Sequence, residues 1–181
     1  FDLNKIVRGH ATFDPDKLHW LNGEYARELA DDRFQQLARD ALCASGVKLE
    51  NFSNDYIRAA LETCKGKINT FDELAAYCGF YFGDDVVYTR EGVAKNLTAE
   101  SKPRLQAVRE AFRRIDNSSC SEIETAMKAT AKELGVKVGA IVHPTRFAVT
   151  GSNAGPSLYH LLEVLGKEKV LARIDRLLAM F

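Results

Sequence analysis

One side chain in this sequence whose type could do recognition chemistry is an arginine set in an apolar run. Arg146 lies within Pro144-Thr145-Arg146-Phe147-Ala148-Val149-Thr150-Gly151. A guanidinium is planar, permanently charged and rich in donors, so it can stack on a nucleic-acid base and still donate hydrogen bonds. The residues alone favour a structural use, pairing with a helix-end carbonyl or a nearby glutamate, over recognition. A few positions on, Gly155-Pro156-Ser157-Leu158 reads as a helix start with Pro156 in the first position. Such a start leaves backbone N–H groups unpaired and outward, which suits a phosphate or a base carbonyl. Gly155 would admit a base close to the backbone, and Leu158 would give it apolar cover. An ordinary capped helix accounts for the same four residues.

Catalytic chemistry has little to work with. No P-loop, G-x-S-x-G or H-E-x-x-H pattern occurs. His10, His19, His143 and His160 are scattered. His19 falls beside the apolar face of its helix, where a packed or surface role is expected, and His143, before Pro144, is expected at a surface. Asp84 and Asp85 are adjacent, so they point apart and make no shared-proton pair. Cys43, Cys64, Cys78 and Cys120 form no C-x-x-C, and no histidine stands at zinc spacing from any of them. They read as free thiols in a reducing cytosol, and no metal ligand set is expected. Three Asn-x-Ser/Thr triplets, at Asn51, Asn96 and Asn117, read as chance matches.

The elements that must position these residues are helical. Asp14-Pro15 is a helix start, and Leu18, Leu21, Tyr25 and Leu29 recur on one face after it. That face is expected to carry Trp20 and Tyr25 into the core, with Phe13 as a hydrophobic lead-in. Phe34, Leu37, Ala41 and Leu42 define a second helix ended by Gly46. Tyr56, Ala60, Leu61 and Cys64 define a third, ending near Gly66. Thr70 and Glu73 read as a capping box opening a fourth, with Leu74, Tyr77 and Tyr81 on one side. Residues 83–98 break the pattern and read as a connection. Beyond it, helices are expected around Leu105–Ile115, from a capping box at Ser119 and Glu122 to Gly135, over Val138–Val149 to Gly151, from Pro156 to Gly166, and over Glu168–Met180. The expected fold class is all-α in two helical subdomains, residues 1–88 and 89–181, with no Rossmann catalytic domain.

The 181 residues are 46% hydrophobic and 28% charged, which is ordinary globular composition and excludes disorder as the main state. A chain of this size buries roughly 70% of its unfolded surface. No apolar stretch approaches the ~20 residues of a membrane-spanning helix, and no targeting signal is visible. The 25 basic and 25 acidic residues cancel, but the second half carries an excess of four positive charges and the first half the reverse. A polyanion would favour the second half, as would ordinary solvated helix faces. The chain starts with Phe1 rather than Met, which fits a fragment or processed product.

Two long stretches add a resemblance. The first is Phe13-Asp14-Pro15-Asp16-Lys17-Leu18-His19-Trp20-Leu21-Asn22-Gly23-Glu24-Tyr25. The second runs from Pro144 to Gly151, through Gly155-Pro156-Ser157-Leu158, to Leu165-Gly166-Lys167-Glu168 and Arg173-Ile174. Together, in one order along nearly the whole chain, they resemble the C-terminal anticodon-binding region of bacterial-type glutamyl-tRNA synthetases. The resemblance implies a helical anticodon-binding cage. It also implies that ATP and magnesium act in a catalytic half whose H-I-G-H and K-M-S-K-S signatures are absent here. The chain itself would then take no cofactor and activate no glutamate.

The resemblance further implies site residues. Arg146 and the Gly155, Pro156 and Leu158 segment match positions that touch the anticodon. Lys67, in Cys64-Lys65-Gly66-Lys67-Ile68-Asn69-Thr70, matches a position where some relatives carry an arginine that reads the third anticodon base. A lysine lacks the planar fork, so discrimination between glutamate and glutamine tRNA is left open. Lys65 is the neighbouring candidate, for a phosphate. For both lysines a solvated surface charge is the competing reading. The expected partner is tRNA(Glu), with tRNA(Gln) open, for a cytoplasmic monomer without membrane contact. Two other classes remain: a helical protein-interaction module, which predicts exposed apolar patches and no tRNA affinity, and a free-standing enzyme, for which no acid–base cluster is visible.

Overall fold

Helix starts are set locally by caps, and the capping residues fall where the chain leaves extended backbone. In the computed structural model, residues 13–116 and 118–181 are described; His10 and Asn117 lie outside them. Asp14 accepts the N–H groups of Asp16 and Lys17, both at 3.1 Å, ahead of Pro15. Ser53, Thr89 and Ser119 cap three further helices through their hydroxyls. The described residues form α1 (Pro15–Glu28), α2 (Asp31–Ala44), α3 (Asn54–Glu62), α4 (Leu74–Cys78), α5 (Arg90–Asn96), α6 (Ser101–Arg114), α7 (Cys120–Glu133), α8 (Gly139–Thr150), α9 (Leu158–Leu165) and α10 (Lys167–Leu178), with no strand among them. The all-helical class read from the sequence is the one observed.

The buried apolar residues of both halves join in one cluster, from Phe34, Leu61 and Tyr81 to Phe147, Leu162 and Leu177. Helices α6, α8 and α10 pack together, α7 lies on α9, and α3 meets α9 across the two halves. The connection before α5 is bridged on both sides. Tyr88 donates its hydroxyl to the Ala148 carbonyl at 2.7 Å. Arg173, 4% exposed, donates to the carbonyls of Val149, Phe80 and Gly83 at 2.7, 2.8 and 2.7 Å. No helix among the described residues is long and apolar enough to cross a membrane.

Several local expectations are corrected. The Thr70–Glu73 box does not form: Thr70 makes no side-chain cap, and Glu73 instead accepts the Asn69 N–H at 3.0 Å. The short α4 is therefore flanked by 3-10 turns at Phe71–Glu73 and Gly79–Tyr81. Residues 83–98 are not bare connection, because Thr89 accepts the Gly92 N–H at 3.1 Å and starts α5. Pro156 does not open α9. Ser157 is its N-cap position and Leu158 its first residue.

The largest correction concerns α1. Trp20 and Tyr25 are 56% and 63% exposed, with Phe13, Leu18 and Leu21 exposed beside them. The buried positions of α1 are Gly23 and Ala26. A Cβ on Gly23 would stand 2.3 Å from the Asn69 side-chain oxygen, so this glycine lets the helix approach the 69–73 segment. His19 joins that contact, its Nε2 lying 3.2 Å from a Glu73 carboxylate oxygen. At 100° per residue, the stripe of positions 19, 23 and 26 sits about a third of a turn away from that of 18, 21 and 25. Periodicity located the large apolar stripe, but the small-residue stripe makes the contact.

Candidate nucleic-acid interface

Arg146 projects from the last turn and a half of α8, which stops at Gly151 in the left-handed conformation, φ 73°. The loop that follows is tied by hydroxyls. Thr150 donates to the Arg146 carbonyl at 2.8 Å, and Ser152 Oγ accepts the Ala154 N–H at 3.1 Å. This folds residues 155 and 156 back against Arg146, whose Nη1 donates to the Pro156 carbonyl at 2.5 Å. A Cβ at Gly155 would lie 3.1 Å from that same Nη1. The guanidinium is thus the side chain that approaches Gly155. Arg146 is half-buried, and burial lowers its pKa against the opposing influence of the nearby Tyr77 and Tyr81 hydroxyls. Among the described residues it has no carboxylate partner, so its charge and remaining donors are uncommitted.

Leu158 is 4% exposed and packs in the core, so it offers no cover to a base in this conformation. Pro156 is likewise buried, whereas Ser157 between them is exposed. Of these three residues only Ser157 is exposed.

The two lysines part company. Gly66, with φ 81°, turns the chain between them. Lys65 folds back to the joint of α1 and α2, donating to the Leu29 carbonyl at 2.9 Å and pairing with Asp31. Lys65 lowers the Asp31 pKa, first by hydrogen bonding and then by charge. Its ammonium also lies 5.7 Å from the Phe34 ring centre. Lys65 is thereby committed to the fold rather than free for a phosphate. Lys67 is exposed and lines a groove of about 420 Å³ with Thr63, Ser157, His160 and Glu163.

The hydroxyls of half-buried Thr63 and buried Tyr81 lie between this groove and Arg146. Thr63 Oγ1 donates to the Ala60 carbonyl at 2.7 Å and lies 3.0 Å from the Tyr81 hydroxyl, near the guanidinium. Lys67 and Ser157 thus line one groove, Gly155 and Pro156 contact Arg146, and the chain from Pro156 to Ser157 joins the two pairs, whereas Lys65 turns away. Charges in the groove are mixed, because Glu62 and Glu163 line it beside Lys67.

One cluster escaped the sequence reading. Cys120, His160 and Glu163 converge, with ligand atoms within 4.8 Å of one another. No histidine stands at zinc spacing from Cys120 along the chain, and the fold alone brings His160 to it. Cys120 and His160 are 40 residues apart and meet only because α7 packs on α9. All four thiols are free, with Cys64 and Cys78 buried, Cys120 half-buried and Cys43 exposed.

Comparison with known proteins gives a consistent result. A family model described as anticodon binding domain matches residues 28–178. The chain is 30% identical over 176 residues to glutamate–tRNA ligase 2 of Caldicellulosiruptor saccharolyticus, covering 97% of this chain and 36% of that protein. It is 32% identical over 180 residues to the glutamate–tRNA ligase of Moorella thermoacetica, covering 97% and 37%. It thus spans little more than a third of the length of these relatives. Among solved structures, a glutamate tRNA ligase from Elizabethkingia meningosepticum in complex with its amino acid superposes with a TM-score of 0.82 at 22% identity, covering 99% of this chain and 35% of that one. That likeness is one of fold.

Proposed function

This chain belongs to the anticodon binding domain family, and from that premise we propose that it reads the anticodon loop of tRNA(Glu) as one part of a glutamate–tRNA ligase. The observation that carries the reading is the family match over residues 28–178. The geometry supports it at Arg146, a half-buried guanidinium without an acidic partner among the described residues. Anticodon bases can be splayed from their loop, stacked on a guanidinium plane and bonded at their edges. Arg146, pinned through one nitrogen by Pro156, keeps its plane and its other donors for such a base. Lys67 and Ser157 extend the same surface toward a second base, with Lys67 as a point-charge donor. In this reading tRNA(Glu) is the partner, and tRNA(Gln) is a second substrate if Lys67 does not discriminate. Glutamate activation with ATP and magnesium belongs to the remainder of the ligase. The chain takes neither cofactor and acts as a cytoplasmic monomer.

A second reading, contact with protein, is favoured by one observation: Leu18, Trp20, Leu21 and Tyr25 form an exposed apolar face on α1. It uses residues other than Arg146 and Lys67, so both readings can hold together. Chemical protection of tRNA(Glu) by this chain separates them. Protection confined to the anticodon loop is expected. Uniform protection would mean nonspecific binding and overturn the anticodon reading, and no protection would leave the protein-contact reading alone.

A further inference from the structure

We propose that Cys120, His160 and Glu163 form a binding site for a divalent d-block cation of the zinc type. The three residues come from two helices. Cys120 is the first residue of α7, while His160 and Glu163 lie three apart on one side of α9. Cys120 Sγ stands 3.8 Å from His160 Nε2. Tetrahedral zinc, with Zn–S about 2.3 Å and Zn–N about 2.0–2.1 Å, places the two donors roughly 3.6 Å apart. The pair is therefore close to a ligand edge already. One ligand atom of Glu163 lies within 4.8 Å of those of Cys120 and His160. Its Oε1 accepts the Cys120 N–H at 3.0 Å and its Oε2 lies 3.6 Å from His160 Nδ1, so the carboxylate must turn from these contacts to join the cation held at Nε2.

The donor set selects the ion. Sulfur and imidazole nitrogen favour zinc-like cations over magnesium and calcium, which take oxygen ligands. Cys120 is half-buried, and His160 and Glu163 are exposed, so the site opens to solvent and water completes the coordination. His160 and Glu163 also line the groove that holds Lys67. A bound cation would place positive charge on the acidic wall of that groove. The inference is independent of the anticodon reading, since its test contains no RNA.

The test is titration of the reduced, chelator-treated chain with cobalt(II), read by absorbance, and with zinc, read by calorimetry. The expected result is one equivalent bound, with a thiolate-to-cobalt charge-transfer band. Cys120→Ser should abolish the band, His160→Ala should weaken affinity at least tenfold, and Cys43→Ser should change neither. Circular dichroism of each variant checks that the helices persist. A band that survives Cys120→Ser, affinity indifferent to His160→Ala, or no stoichiometric binding by the unaltered chain would overturn the assignment.

Discussion

The guanidinium of Arg173 donates to the carbonyl of Gly83 at 2.7 Å, across 90 residues of sequence. Its other two bonds reach Phe80 and Val149, so one buried cation holds the end of the first half against α8 and α10. Burial lowers the pKa of Arg173, but carbonyl acceptors satisfy its donors without a buried acid. Replacing Arg173 by Met leaves three carbonyls without that donor. The expected loss is about 3–5 kcal/mol of unfolding free energy, measured by urea denaturation. Arg173→Lys should recover only part of it, since an ammonium lacks the fork.

Gly151 and Gly46 both have positive φ, 73° and 83°, yet their surroundings differ. A Cβ at Gly151 would stand 2.4 Å from the Val87 carbonyl oxygen, while nothing lies within 4 Å of one at Gly46. Gly46→Ala should cost about 1 kcal/mol, the conformational term alone. Gly151→Ala should cost about 3 kcal/mol, because backbone must also shift. Thermal denaturation of the two variants side by side reads the difference.

Lys65 and Lys67 should separate stability from recognition. Lys65→Met removes the tie to Leu29 and Asp31, so it should lower stability and leave tRNA affinity nearly unchanged. Lys67→Met should do the reverse. The Asp31 pKa is held below its usual value. The part of stability due to that pair is therefore present above the ordinary carboxylate pKa and lost as pH falls through the lowered value. Lys65→Met should flatten this acid limb, which denaturation between pH 2 and 6 would show.

Burial pushes the Tyr56 phenol up to about 12, and its hydroxyl donates to the Tyr81 carbonyl at 2.9 Å. The folded state thus holds this proton more tightly than the unfolded chain, whose tyrosines titrate near 10. Its contribution is full below about pH 10 and declines as pH rises toward about 12. Tyr56→Phe should cost about 1 kcal/mol at neutral pH and make the alkaline decline shallower. Denaturation midpoints between pH 8 and 12 provide the measurement.

How far the sequence revealed this arrangement depended on whether partners lay close along the chain. Helix α8 and its stop at Gly151 were legible because the apolar run and the glycine are contiguous. Arg146 was singled out by the family resemblance and not by its residue type alone, and its bond to Pro156 was not legible, since it depends on the fold of the 150–156 loop. Leu158 looked available as an apolar residue at a helix start, yet the same property drew it into the core. Lys65 and Lys67 are one residue type two positions apart, and only the turn at Gly66 sends them to different places. Trp20 and Tyr25 show the limit of periodicity, which marks an apolar stripe without showing what covers it. Cys120 and His160 follow no spacing rule, because their proximity comes from the packing of α7 on α9.

The central claim is that Arg146 recognises the anticodon, and a fluorescence titration tests it most directly. The chain and its Arg146→Ala variant would each be titrated with tRNA(Glu) and with the same tRNA carrying an altered anticodon. A base contact of about 1–3 kcal/mol predicts roughly a five- to 150-fold preference for the native anticodon, largely lost in the variant. Equal affinity of the unaltered chain for both tRNAs, or a preference that survives Arg146→Ala intact, would contradict the account.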